Sequence, residues 1–104
     1  HVHLVFYKNA EIIGYAHLQL WEEKRAALRM SVMDEGYRNK GFGSQFLKLC
    51  ERWLLHQGFQ TLVAQSSPSA YPFYLRHGYE SMPFKDPDGY ETDSQDIEIG
   101  KNLK

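Results

Sequence analysis

The hydrophobic period of this chain changes at a glycine-rich junction, and that change restricts the fold more than any other feature. Before the junction, Val2, Leu4 and Phe6 alternate with His1, His3 and Val5, and Leu28, Met30 and Val32 alternate with Arg29 and Ser31. That is the period of half-buried strands. After it, Phe46, Leu49, Cys50, Trp53 and Leu54 recur at the three- and four-residue steps of an amphipathic helix. A chain that passes from strands to a helix at one junction must cover a sheet with that helix.

The elements follow from this reading. Two strands, His1 to Tyr7 and Ile12 to Trp21, are joined by Lys8-Asn9-Ala10-Glu11, where the Asn suits a tight hairpin turn. A third strand, Ala26 to Met33, follows the charged turn Glu22-Glu23-Lys24-Arg25. The main helix is expected over Gly43 to Gln57, stopped by Gly58. Leu62, Val63 and Ala64 mark a buried strand over Phe59 to Gln65, reached by a helical crossover. A shorter helix runs Ala70 to His77, with Ser69 as N-cap, Gly78 as C-cap and Pro72 in the first turn, where its missing N–H costs no helical bond. Lys85-Asp86-Pro87-Asp88-Gly89 is turn chemistry, and Asp96 to Leu103 closes the sheet. The expected class is α+β with a mixed, mostly antiparallel twisted sheet in the order β-β-β-α-β-α-β-β. At 104 residues it is expected to form one domain, 1–104. The opening on a strand in full pattern, without Met, reads as a segment of a longer chain.

The junction itself, Met33 to Ser44 (MDEGYRNKGFGS), carries the chemistry. A helix start presents unpaired N–H groups and the positive end of the macrodipole, and glycines let a bound group approach the backbone. Gly41 and Gly43 sit there, with Arg38 and Lys40 beside them. A phosphate or pyrophosphate is the guest such a turn suits. The P-loop pattern fails because Phe42-Gly43 follows Gly41 in place of Lys-Ser, and the dinucleotide fingerprint fails because Phe46 stands where Gly or Ala is required.

What remains, Arg38-x-x-Gly41-x-Gly43 between a strand and a helix, resembles the acetyl-CoA motif of the GNAT superfamily of N-acetyltransferases, Gln/Arg-x-x-Gly-x-Gly/Ala. Downstream, Ala70-Tyr71-Pro72-Phe73-Tyr74-Leu75-Arg76-His77-Gly78-Tyr79 resembles that family's Ala-x-x-Phe-Tyr-x-x-x-Gly-Phe segment. The resemblance covers essentially the whole chain, although family domains begin with a further strand and two helices that help to wall the acceptor pocket. It implies acetyl-CoA as co-substrate, no metal, and direct attack by an amine in a ternary complex. Arg38, Asn39, Lys40, Gly41, Phe42, Gly43 and Ser44 would wrap the pyrophosphate, and the backbone of Val32 and Met33 would pair with the pantetheine arm. The two parallel strands would splay around the thioester. Tyr74 would be the general acid for the departing thiolate. A core aromatic is the plainer reading of that residue, and Tyr71 stands close by. For the general base, His17, Glu22 and Glu35 stay open, since the strand Ala26 to Met33 offers no Glu, Asp or His.

Other features exclude classes of function. Lys plus Arg (12) nearly balances Asp plus Glu (13), for a net charge of −1, which gives no general attraction for nucleic acid or an anionic membrane. The lone Cys50 forms no disulfide within the chain, pointing to a reducing cytoplasm. On an apolar stripe it behaves as a small hydrophobe. His1 and His3 share a strand face but have no third metal ligand at a recognisable spacing. Asp86, Asp88, Glu91, Asp93 and Asp96 read as a solvated hairpin rather than as a lure for cations. The expected partner is a small-molecule or peptide amine, and the exposed first strand is an edge on which a homodimer could pair. The alternative is a CoA-binding module without turnover.

Overall fold

The computed structural model describes residues 1–37, 41–84 and 95–104. The elements run β1 (Val2–Lys8), β2 (Glu11–Leu20), β3 (Arg25–Met33), a 3₁₀ turn (Glu35–Tyr37), α1 (Phe42–His56), β4 (Thr61–Ser66), α2 (Tyr71–Arg76), β5 (Glu80–Ser81) and β6 (Ile97–Asn102). Both the expected order and the α+β class stand, with boundaries moved by one or two residues. The turn expected at 85–89 lies outside the described residues. No helix among the described residues is long and apolar enough to cross a membrane.

The six strands lie in the order β1-β2-β3-β4-β6-β5. All neighbours are antiparallel except β3 and β4, which α1 connects. A parallel pair needs such a crossover. In the β1–β2 hairpin, Asn9 and Ala10 adopt φ of 51° and 67°, the twist that a two-residue hairpin requires.

Alternation sends one set of side chains to the helices. Phe46, Leu47, Cys50 and Leu54 of α1 pack with Ala16, Leu18, Ala26, Leu28, Leu62, Ala64 and Ile99 of the sheet, and α2 adds Tyr71, Phe73 and Tyr74 to the same cluster. On the opposite face, Trp21, Ala27 and Val63 form a smaller cluster with Met82 and Phe84, while Val5, Tyr7, Met30 and Val32 stay exposed.

Gly14 lets α1 settle closely on the sheet. A Cβ there would stand 3.1 Å and 3.2 Å from Phe46 ring atoms and 3.3 Å from Met33 Cε. Gly14→Val is therefore expected to destabilise the domain by about 1–3 kcal/mol through overpacking, read as a lower urea midpoint at unchanged slope. A midpoint at or above that of the parent would show that α1 is not pressed on β2 at this point.

The expected cap of α2 is corrected. Ala70, not Ser69, occupies the N-cap, and no side chain caps it there. Ser67 orders the approach instead, its Oγ accepting from Ala70 N at 3.3 Å and its carbonyl accepting from Ala70 N and Tyr71 N at 3.1 and 3.2 Å. The Ser67-Pro68-Ser69 bend places the capping hydroxyl three residues before the N-cap. Pro72 does fall in the first turn.

Candidate active site

A cleft opens where the parallel pair comes apart. The pairing of β3 with β4 runs from Arg25↔Thr61 to Leu28↔Ala64 and stops there, while β3 continues to Met33 and β4 to Ser66. Among the described residues, β4 pairs with β3 no further than Leu28, and the rest of β3 runs on past that pairing. The resulting cleft holds about 310 Å³, and its lining includes Arg29, Ser31, Gln65, Ser66, Tyr74 and Asp96. Arg29 is held in place, its Nε donating to Gln19 Oε1 at 2.8 Å and its guanidinium standing 5.1 Å from the Trp21 ring centre.

Tyr74 enters the cleft from α2, where the segment after β4 folds back over the sheet. Its ring meets Phe73 and Tyr79 edge-on, at 5.3 Å and 5.4 Å between centroids. Burial pushes its phenol above the ordinary value, so Tyr74 keeps its proton throughout the neutral range. A protonated phenol in a cleft is a proton donor. Tyr71, its neighbour in sequence, packs into the core cluster and does not line the cleft.

The glycine turn leads into α1 as its sequence suggests. Gly41 takes the N-cap with φ 82°, a left-handed conformation that favours glycine, and no side chain caps the helix. Among the described residues, no partner is found for the first-turn N–H groups of Phe42, Gly43 and Ser44, the groups that a helix start offers to a ligand. Phe42 anchors the turn from the other side, with Tyr37 and Phe6 edge-on at 5.5 Å and 6.5 Å and Lys8 Nζ 4.9 Å from its ring centre. Tyr37 in turn donates to Glu11 Oε2 at 3.3 Å. A Cβ at Gly43 would meet the Phe73 ring at 3.9 Å, an ordinary contact distance. Arg38, Asn39 and Lys40 lie outside the described residues. Val32 and Met33 pair with Tyr15 and Gly14 of β2, which leaves their other backbone edge on the side where β3 parts from β4. Their side chains do not line the cleft.

The base candidates separate. Glu22 and Glu35 sit exposed in turns. His17 lies in a cluster on the open sheet face, its Nε2 2.6 Å from His1 Nδ1 and its ring stacked on His3 at 4.7 Å, while His3 hydrogen-bonds the Tyr15 hydroxyl. Burial, helped by His3, the N-terminus and Arg29, holds its imidazole below the ordinary value. None of these three lines the cleft. Among the described residues, no group of three or more His, Cys, Asp and Glu is placed to hold a metal. Cys50 is buried, with its thiol pushed up to about 12 by burial and then by Glu51, which leaves it inert as a nucleophile.

Asp96 is the carboxylate the sequence did not single out. The β4–β6 ladder ends at Ser66↔Ile97, which delivers the preceding residue to the open end of β4 and hence to the cleft. Only the pairing of strands far apart in sequence reveals this. In the sequence, the acidic set in which it occurs reads as a solvated hairpin.

The architecture agrees with known proteins. A protein from Klebsiella pneumoniae provisionally named an acyl-CoA N-acyltransferase superposes with a TM-score of 0.85 at 22% identity, covering 98% of this chain and 72% of that one. An acetyltransferase of the GNAT family from Staphylococcus aureus Mu50 gives 0.80 at 22% identity over 98% and 68%. The PaiA N-acetyltransferase of Thermoplasma acidophilum, solved with coenzyme A, gives 0.78 at 18% identity over 97% and 60%. At these identities the likeness shows the fold. No curated protein sequence matches. The family model of the GNAT acetyltransferases, however, matches residues 1–79, and the chain belongs to that family.

Proposed function

We propose that this chain is an N-acetyltransferase that moves the acetyl group of acetyl-CoA to a primary amine by direct attack in a ternary complex. The observation that carries this reading is the cleft at the parting of β3 and β4, with Tyr74 in its lining and the uncapped start of α1 at the end of the strand that forms one wall. The first-turn N–H groups suit the donor's pyrophosphate. The stretch of β3 beyond its last pair with β4 suits the amides of the donor's pantetheine arm, which would add to the sheet as a short strand does. The thioester then lies where the strands part.

Within that arrangement the reaction is positioning and proton transfer. The amine nitrogen forms a bond to the thioester carbonyl carbon, a tetrahedral intermediate carries the charge on oxygen, and the carbon–sulfur bond breaks. Tyr74 gives its proton to the leaving thiolate and regains one from water. The amine's surplus proton passes to a carboxylate in the cleft, a role for which Asp96 is placed, directly or through water.

Two signals test the proposal together. Acetyl-CoA at a hundred times its dissociation constant is expected to stabilise the chain by about 2.7 kcal/mol, a rise in Tm on the order of 10 °C for a domain of this size. A panel of primary amines should then yield an acetylated product by mass spectrometry together with an equal amount of free thiol. A second reading, a CoA-binding module without turnover, is favoured by one observation: among the described residues, the sheet face carrying Val5, Tyr7, Met30 and Val32 stays exposed. Stabilisation without product across the panel supports that second reading. The absence of any shift at millimolar donor contradicts both.

A further inference from the structure

The start of α1 and the end of α2 meet through a polar contact that neither sequence motif requires. Ser44, in the first turn of α1, and His77, at the C-cap of α2, are separated by 33 residues, yet Ser44 Oγ and His77 Nε2 stand 2.9 Å apart. The imidazole is held on its other side by the Phe73 ring, 4.8 Å away and tilted by 57°. Phe73 in turn lies beside Gly43, its ring 3.9 Å from where a Cβ there would stand. Gly43, Ser44, Phe73 and His77 are therefore one joint between two helices, at the point where α1 offers its uncapped N–H groups.

The charged groups facing His77 are Lys48 and Glu51 of α1, Arg76 of α2 and Lys101 of β6. Burial and the three cations disfavour the imidazolium and hold His77 below the ordinary imidazole value. Glu51 opposes them, but its carboxylate already accepts from the Tyr79 hydroxyl at 2.7 Å and from Lys101 Nζ at 3.0 Å. His77 is thus neutral at neutral pH in the free protein, and in the tautomer with its proton on Nδ1 its Nε2 accepts from the Ser44 hydroxyl.

We propose that His77 is a positioning residue for the acyl donor, acting through Ser44: it fixes the hydroxyl in the first turn of α1, and takes up a proton from solvent when the donor's phosphates arrive. This rests on the donor reading above. In that tautomer of His77, the one hydroxyl proton of Ser44 is spent on Nε2. An anion at the helix start needs donors, and its charge offsets Lys48, Arg76 and Lys101. The proton then binds at Nε2, the imidazolium donates to Ser44 Oγ, and the Ser44 proton turns to the phosphate. The joint that orients the donor's anionic end also bears on α2, the helix that carries Tyr74.

Calorimetric titration of CoA into the full chain at pH 7, in two buffers of different ionisation enthalpy, reads the proton count directly. The parent is expected to take up as much as about one proton per CoA more than His77→Gln, which keeps an amide able to bond Ser44 but cannot titrate. CoA's own phosphates titrate alike in both, so the difference is the measure. His77→Gln and Ser44→Ala are each expected to weaken CoA binding about tenfold, and in Ser44→Ala the extra uptake falls as well. Thermal midpoints of both variants verify the fold, and Ser44→Ala carries the test if His77→Gln does not fold. Proton uptake equal to the parent's in the variants overturns the proposal and leaves the donor reading standing. Failure of the parent to bind CoA overturns both.

Discussion

Replacing Tyr74 by Phe is expected to lower kcat about a hundredfold or more, the usual contribution of a positioned general acid, with the KM for acetyl-CoA changed little. The ring stays, so its edge contacts with Phe73 and Tyr79 and its place in the core cluster are kept. What is lost is the hydroxyl at the wall of the cleft. Because burial raises the Tyr74 phenol above its ordinary value, the proposed activity of the parent should show no alkaline fall in kcat from this group below about pH 10. Turnover by Tyr74→Phe at the parent rate would return Tyr74 to the role of a packing aromatic and place the proton donor elsewhere.

The second large effect concerns the platform. Leu54 is 0% exposed at the centre of the α1–sheet interface, and Leu54→Ala is expected to cost about 2–5 kcal/mol, from lost burial plus the cavity left behind. For a domain of this size that is a large share of total stability, and Tm should fall by more than about 10 °C. Chemical denaturation followed by tryptophan fluorescence measures it. A loss under about 1 kcal/mol would mean that α1 does not anchor the sheet, and that the geometry of the donor turn cannot depend on it.

Much of the fold was legible because its signals are local. The alternation of Val2, Leu4 and Phe6 and the stripe Phe46, Cys50, Trp53 and Leu54 report the faces turned to the core, although Leu49 of the expected stripe is exposed and Leu47 is buried in its place. The glycine turn was legible for the same reason, since a left-handed N-cap at Gly41 is a backbone demand that one residue type meets best. The cap of α2 was not, because Ser67, Pro68 and Ser69 compete at the same bend and the final geometry chooses among hydroxyls. The cleft carboxylate was hidden for another reason. Asp96 owes its place to the register Ser66↔Ile97 between strands about 30 residues apart, and nothing near it in the chain distinguishes it from a solvated acid. The same holds for His77, which occupies a position the family pattern leaves open and gains a partner only when α2 docks on α1.

The central claim is that an acyl-CoA donor binds along the stretch of β3 beyond its last pair with β4, with its phosphates at the start of α1. Amide chemical-shift mapping with ¹⁵N-labelled protein and desulfo-CoA, which binds but cannot react, tests that claim by location. The expected result is a set of large, saturable shifts at Gly41 to Ser44 and at Arg29 to Ser31, with a smaller response around Tyr74. Shifts confined to other surfaces, or none at millimolar ligand, would contradict the account.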